Sequence, residues 1–226
     1  MTVSLQANLC EELLLKIHYN LFAGRSLERL SALSDGIFAI ATTLLVLNLH
    51  VPQAAEAAAH LDSEQLLLGA LLRHLPELVT YLMSFMTLGI FWIGQQTQMS
   101  HFTESNRNYS WIQLGFLATV TLMPFSTSLL ATFIQLRVAL IIYWLNILLM
   151  GIALLVGLIY GQRSGLLKEQ SRQETRHQFK RIVIAQALYA VGALLCIIHP
   201  YVSIGFIVLV QLNYVIAPRI WKLDRI

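Results

Sequence analysis

The chain has 226 residues, of which 57% are hydrophobic and only 12% are charged. Soluble globular domains carry about 25% charged residues, so this composition excludes an ordinary soluble domain. Several apolar stretches approach the roughly 20 residues that a membrane-spanning helix needs, and none shows the alternation typical of a membrane β-barrel. The predicted fold class is an all-α membrane bundle.

Residues 1–25 precede the first apolar stretch and mix leucine and isoleucine with charged side chains. Glu11, Glu12 and Lys16 interrupt the apolar positions, so this segment is not typical of a cleavable signal peptide. The pattern fits a short helix on the membrane surface and a partly disordered segment equally well.

Residues 26–226 are predicted to form one domain of six transmembrane helices. Val51-Pro52 ends the first span, and Pro124 in the third span predicts a kink. A basic hydrophilic connection is expected over residues 162–181, and His199-Pro200 predicts a tight hairpin before the last span. The predicted spans are residues 30–50, 70–98, 110–133, 138–161, 182–198 and 201–217.

Six spans place both termini on one side of the membrane. Lys16, Arg25 and Arg29 precede the first span, and six basic residues lie between the fourth and fifth spans. Because short cytoplasmic segments are enriched in lysine and arginine, both termini are predicted to be cytoplasmic in the cell membrane. The basic residues then report topology, and no basic face with interleaved aromatic residues indicates a nucleic-acid partner.

One face of the first span is almost continuous. At about 100° per residue, a single arc contains Gly36, Ile40, Thr43, Leu44 and Leu47. Asp35 lies roughly 140° from Ile40, and Ser34 lies roughly 120° away in the opposite sense, so neither shares this face. From spacing alone, the face is also typical of helix packing or lipid contact.

Three polar residues of this span have alternative explanations. Thr43 is able to bond a carbonyl of its own helix, as threonines in membrane helices often do. Ser34 and Asp35, with Arg29, fit either a helix cap or a network that holds neighbouring helices together. Trp92 is predicted at the same depth as Asp35, where its indole N–H would reach the carboxylate.

The segment Arg29-x-x-x-Leu33-Ser34-Asp35-Gly36, followed by Ile37-Phe38-Ala39-Ile40, resembles the first helix of the endosomal and lysosomal potassium channels and their prokaryotic relatives. That family opens this helix with Arg-x-x-x-Phe-Ser-Asp-Gly. The chain departs from the pattern at Leu33, and it has Gln95-Gln96 where relatives commonly place histidine. Its length and six predicted spans are similar to the single-repeat prokaryotic branch.

The resemblance implies a homotetramer in which four first helices surround a central ion path. Ile40 then matches a narrow hydrophobic constriction, Leu44 and Leu47 add apolar rings, and Thr43 supplies a ring of hydroxyls. An apolar constriction gates by dewetting, and hydroxyls partly replace the hydration of an ion. The network of Arg29, Ser34, Asp35 and Trp92 would support this pore.

The function predicted from this resemblance is a potassium-permeable cation channel, with potassium ions as the permeant ligand. The alternative is a proton-coupled secondary transporter in which Asp35 titrates. An enzyme is not expected, because no nucleophile with a nearby base, phosphate-binding loop or metal-ligand spacing occurs. No cofactor and no metal site are predicted, and the expected partners are further copies of the chain, the lipid bilayer and monovalent cations.

Overall fold

The computed structural model describes residues 26–51 and 64–216. Within these ranges the regular elements are helical, with short 3₁₀ turns at Val46–Asn48 and Glu169–Ser171. The predicted N-terminal segment 1–25 lies outside the described residues. The α-helices of the described ranges are α1 (Leu27–Leu45), α2 (Glu64–Arg73), α3 (Leu75–Ser100), α4 (Arg107–Thr121), α5 (Met123–Thr132), α6 (Arg137–Arg163), α7 (Arg172–Leu195) and α8 (Pro200–Ile216).

Helix α1 begins three residues before the predicted start of the first span. Ser26 is its N-cap, and the Ser26 hydroxyl accepts a hydrogen bond from the Arg29 backbone N–H at 3.2 Å. Ser34 and Asp35 therefore lie two turns inside the helix, and the alternative that they cap it is wrong. At the other end, the Asn48 side chain donates to the Pro124 carbonyl at 3.3 Å.

The second predicted span, 70–98, is interrupted in the structure. Helix α2 ends at Arg73, and α3 begins at Leu75 with Pro76 in its first turn. Proline is tolerated in a first turn because its missing N–H would have no intrahelical partner there, whereas inside a helix it removes a hydrogen bond. The chain therefore turns at His74 and starts a new helix.

The kink expected at Pro124 is present as a break between two helices. Helix α4 ends at Thr121, Leu122 is a turn, and α5 begins at Met123. Together the two helices form one apolar segment, Arg107–Thr132, that is long enough to cross a membrane. The freed carbonyl groups are tolerated because neighbouring helices and side chains supply donors.

The helix that contains most of the predicted fifth span, 182–198, begins inside the predicted basic connection over 162–181. Helix α7 begins at Arg172, so about half of the basic segment is helical. Glutamine, glutamate, arginine and lysine are good helix formers, and Glu174 in the first turn complements the helix dipole. Hydropathy alone misses this because it scores a charged helix as a connection.

Five helical segments within the described residues are long and apolar enough to cross a membrane, and α8 contributes a shorter apolar segment, Pro200–Val215. The prediction of an all-α membrane protein is confirmed. The five long segments are Leu27–Asn48, Leu75–Ser100, Arg107–Thr132, Arg137–Arg163 and Gln173–Leu195.

The connections after α3 and after α6 meet at one end of the bundle. The Thr103 N–H donates to the Leu166 carbonyl at 2.9 Å, and the Lys168 N–H donates to the His101 carbonyl at 3.0 Å. The Lys168 ammonium also donates to the Ser100 carbonyl at 2.7 Å. These bonds place the end of α3 and the start of α7 side by side, at what we call the basic end.

The interior combines an aromatic core with a buried polar layer. Phe116 packs against Phe38 and Phe91, with ring centroids 6.0 and 6.5 Å apart. In the buried polar layer, the Tyr143 hydroxyl lies 3.3 Å from the Ser84 hydroxyl and 3.2 Å from the Thr87 hydroxyl. Thr127 donates to Ser84 and Gln211 donates to Thr87, which extends this layer. Interhelical hydrogen bonds of this kind help to hold membrane helices together.

Candidate functional site

Helix α1 has one buried face and one exposed face. Phe38, Ala41 and Leu45 are buried against α3, α4 and α5. The opposite side chains are exposed, with 61% of Ile40 and 71% of Leu47 accessible, and Leu44 and Thr43 are also exposed. The residues predicted to line a pore thus form an exposed stripe on the side of α1 that faces away from α3, α4 and α5.

The Thr43 hydroxyl donates a hydrogen bond to the Ile40 carbonyl at 2.8 Å. Thr43 therefore bonds to a carbonyl of its own helix, which was one of the two interpretations of this residue. The carbonyl belongs to the residue three positions earlier. A hydroxyl has one proton and two acceptor lone pairs, so its oxygen still accepts after the proton is used. The bond therefore orients Thr43 with oxygen lone pairs available on the exposed side of α1.

Ser34 lies on a buried face of α1 and begins a chain of hydrogen bonds toward α4. Its hydroxyl donates to Gln95 Oε1, and the Gln95 amide donates to Gln113 Oε1 at 3.1 Å. The Gln113 amide then donates to the Tyr109 hydroxyl at 2.8 Å. All four side chains are buried, so α1, α3 and α4 are joined by one internal relay.

Asp35 is held by two donors from α3. The Trp92 indole N–H and the Gln96 amide both donate to Asp35 Oδ1, at 2.8 and 2.7 Å. The Ser31 hydroxyl donates to Gln96 Oε1 at 3.3 Å, which ties Gln96 to α1 a second time. Hydrogen bonds to a carboxylate are stronger than those between neutral groups, so this contact fixes α1 against α3.

The structure does not bring Arg29 into this arrangement. Its hydrogen bond to Ser26 is through the backbone N–H, and no side-chain partner for it occurs among residues 26–51 and 64–216. The glutamines that sequence reasoning treated as departures from the family pattern are instead the main partners of the motif. The sequence does contain a signal for this role, since a glutamine amide inside an apolar span needs a hydrogen-bond partner.

The far end of α1 meets a carboxylate that the sequence did not single out. Glu77 accepts from the His50 backbone N–H at 3.1 Å and lies 3.3 Å from His50 Nδ1 and 3.0 Å from His74 Nδ1. His50 is largely exposed, yet both rings pair with Glu77, which joins the end of α1 to the start of α3.

In the part of the chain that the structure describes, no group of three or more histidine, cysteine, aspartate or glutamate residues is arranged to hold a metal ion. The polar groups around α1 are hydroxyls, amides, the Asp35 carboxylate and, at the far end, the Glu77 carboxylate with two histidine rings. They are suited to anchoring a helix and to weak contacts with monovalent cations.

Known proteins resemble this chain over most of its length. A potassium channel of Chryseobacterium sp. (strain P1-3) is 30% identical over 198 residues, which is 84% of this chain and 93% of that protein. The crystal structure of a lysosomal potassium-selective channel TMEM175 homolog from Chamaesiphon minutus has a TM-score of 0.73 and 27% identity, covering 84% of this chain and 96% of that chain.

Relatives in animals match a shorter segment. The endosomal/lysosomal proton channel TMEM175 of Danio rerio is 34% identical over 107 residues, which is 46% of this chain and 20% of that protein. The sequence model for the family described as endosomal/lysosomal potassium channel TMEM175 matches residues 29–124, which contain the motif, α1, α3 and α4. These are ion channels, which confirms the prediction that the chain is not an enzyme. The chain belongs to the TMEM175 family of potassium channels.

Proposed function

We propose that the chain forms a potassium-permeable cation channel in which four copies of α1 surround a central ion path. The observation that carries the proposal is the stripe of α1 in which three apolar side chains and one threonine are exposed in the single subunit. Packing of four such stripes around an axis would bury them. The relatives named potassium channels support the choice of ion.

Ile40 is proposed as the narrowest hydrophobic ring, with Leu44 and Leu47 as further apolar rings along the path. A ring of branched apolar side chains disfavours water in a narrow pore, so a small change in its radius switches the path between a hydrated, conducting state and a dewetted, closed state. The exposure of Ile40 in a single subunit supports this role, because a constriction is built from side chains that their own subunit leaves free.

Thr43 is proposed as the hydroxyl ring beside the constriction. Because its proton is donated to the Ile40 carbonyl, the oxygen faces the path as an acceptor and stands in for part of the hydration shell of an ion. The sequence contains no Thr-Val-Gly-Tyr-Gly filter, so selectivity for potassium over sodium is expected to be modest.

Ser34 and Asp35 are proposed to position α1 rather than to bind the permeant ion. Ser34 is buried against Gln95, and Asp35 is committed to two N–H donors. A carboxylate that holds two donors is suited to anchoring. This favours the channel over the proton-coupled transporter, which would require Asp35 to change partners during turnover.

The same proposal includes the number of membrane spans and the orientation of the chain in the membrane. Residues 26–226 form a channel domain with six spans, α8 being the sixth, preceded by the segment 1–25. The basic end of the bundle, with Arg163, Lys168 and Arg181, faces the cytoplasm, so both termini are cytoplasmic in the cell membrane.

The test is ion flux through the purified chain reconstituted in liposomes. Wild-type protein is expected to release potassium down its gradient, and Ile40→Asn is expected to increase the flux by wetting the constriction. Ile152→Asn is the matched control, since Ile152 is an exposed isoleucine of α6 outside the α1 stripe.

Three results would count against the proposal. A folded preparation without potassium flux at any voltage or pH contradicts the channel, and equal fluxes in Ile40→Asn and the control remove Ile40 from the path. Flux that saturates with potassium and requires a proton gradient supports the transporter instead. Proton flux is recorded in the same vesicles, because the Danio rerio relative is named a proton channel.

A further inference from the structure

A cleft of about 460 Å³ lies between α3 and α7, away from the α1 stripe. Leu154 of α6 and Tyr214 of α8 complete its walls. It opens beside Ile93, which is 60% exposed; across it the Gln178 amide donates to the Gly94 carbonyl at 3.0 Å, and His101 Nδ1 lies 3.3 Å from Glu174 Oε2. A volume of this size is typical of sites for small molecules.

Two glutamines of α7 line the cleft with unused acceptors. The Gln178 amide nitrogen donates to Gly94, and the Gln186 amide nitrogen donates to the Ile147 carbonyl at 3.3 Å. The Oε1 atoms of both glutamines are buried and have no hydrogen-bond partner, and the Gln178 side chain is 92% buried. An unpaired buried amide oxygen is unfavourable, so both positions favour a ligand that supplies donors.

Tyr189 lies at the inner end of the cleft and adds a third unsatisfied group. Its side chain is 1% exposed, and its hydroxyl has no hydrogen-bond partner. Gln211 is beside it; the Gln211 amide nitrogen donates to the Thr87 hydroxyl at 2.6 Å, and the Gln211 Oε1 atom is also buried without a hydrogen-bond partner. A ligand hydroxyl is able to donate to Gln186 Oε1 and accept from Tyr189, which lies one helical turn further along the same face.

The wall between the two glutamines is apolar. Gln178 and Gln186 are eight residues apart on α7, which corresponds to about 12 Å along the helix axis. Ile182 and Ala185 lie between them, and Ile90 and Phe91 of α3 face the same space. The charged lining residues Glu174 and Arg181 lie within about one helical turn of Gln178, Arg181 on its inner side, and neither lies within one turn of Gln186, so a charge at the inner end would be unpaired.

We propose that this cleft binds a neutral, elongated amphiphile that carries a hydroxyl group at each end of an apolar chain, with one hydroxyl on Gln178 and the other on Gln186 and Tyr189. The two hydroxyls are expected about 12 Å apart. Such a molecule reaches the cleft from the bilayer beside Ile93. This site is independent of the proposed ion path.

The probes are linear α,ω-diols from 1,4-butanediol to 1,12-dodecanediol, added to the purified full chain in nanodiscs. Binding is read from the rise in unfolding temperature by tryptophan fluorescence. The tightest binding is expected near 1,8-octanediol. Its dimethyl ether accepts but does not donate hydrogen bonds, and 1-octanol has a single hydroxyl, so each is expected to bind about three- to tenfold more weakly.

The variants Gln178→Leu, Gln186→Leu and Tyr189→Phe are each expected to weaken binding of 1,8-octanediol by a similar factor. The two leucine variants should leave the dimethyl ether unaffected, whereas Tyr189→Phe should weaken it, because the ether oxygen accepts from the Tyr189 hydroxyl. Gln162→Leu, an exposed glutamine of α6, is the control and should not change either affinity. If one leucine variant does not fold, the tyrosine variant and the probe series on wild-type protein still give the answer.

Two outcomes overturn the proposal. Equal binding of the diol and its dimethyl ether means that the glutamine oxygens do not recognise a donor. No stabilisation by any diol means that the cleft does not bind such molecules.

Discussion

Replacing Gln95 with leucine tests whether the buried hydrogen-bond relay holds α1 in place. Gln95 accepts from Ser34 on α1 and donates to Gln113 on α4, and all three side chains are buried. Leucine has a similar size and no polar atoms. The substitution therefore removes both hydrogen bonds with little change in packing.

The expected loss follows from the two groups that are left behind. The Ser34 hydroxyl loses its acceptor, and Gln113 Oε1 loses its donor. Each unpaired buried group costs about 1–3 kcal/mol, so Gln95→Leu is expected to lower the free energy of unfolding by about 2–6 kcal/mol. For a chain of this size, 1 kcal/mol corresponds to about 2–4 °C, which predicts a fall in Tm of at least about 4 °C.

A double-mutant cycle separates the hydrogen bond from a general packing effect. Ser34→Ala leaves only Gln95 Oε1 without its donor, and the double variant Ser34→Ala with Gln95→Leu leaves neither partner of that bond. The double variant is expected to lose about 1–2 kcal/mol less than the sum of the single losses.

Unfolding is measured in mixed micelles by titration with a denaturing detergent, with the exposed Gln162→Leu as the control for a leucine substitution. The reasoning is refuted if the two single losses add without coupling, or if Gln95→Leu unfolds at the same point as this control.

Three further changes have defined outcomes. Gly161→Ala is expected to lower stability by about 1–3 kcal/mol, because the added methyl would clash with the buried Phe102 ring, whereas Gly89→Ala has open space and should be neutral or stabilising in the same detergent titration. Trp92→Phe is expected to cost about 0.5–1.5 kcal/mol by removing a partly exposed hydrogen bond to the motif carboxylate, and an unchanged Tm would contradict that contact. Thr43→Val is expected to move the potassium-to-sodium permeability ratio toward one in liposome flux, and an unchanged ratio would exclude the hydroxyl ring.

The sequence predicted the helical class and most span centres because hydrophobicity over about 20 residues is a local property. Pro124 was similarly readable, since proline disrupts a helix wherever it lies inside one. The start of α7 was missed by ten residues, because Arg172 to Arg181 combine high charge with high helix propensity and hydropathy weighs only the first.

The partners of the motif were harder to predict than the motif itself. Helical geometry correctly predicted that Ser34 and Asp35 lie away from the Ile40 face. The similar predicted depth of Asp35 and Trp92 in the membrane was enough to predict their contact. Which glutamine reaches which residue depends on how α1 and α3 are rotated against each other. That rotation is set by packing between distant parts of the chain, and a single sequence does not contain it.

Helix α1 is fixed by polar contacts at both ends and by apolar packing between them. At the basic end, Ser34 and Asp35 bond to α3, and at the other end Asn48 and His50 bond to Pro124 and Glu77. The exposed stripe from Ile40 to Leu47 takes part in none of these anchors through its side chains. Substitutions in the stripe should therefore change ion flux with little change in subunit stability, and substitutions in the anchors should lower stability first.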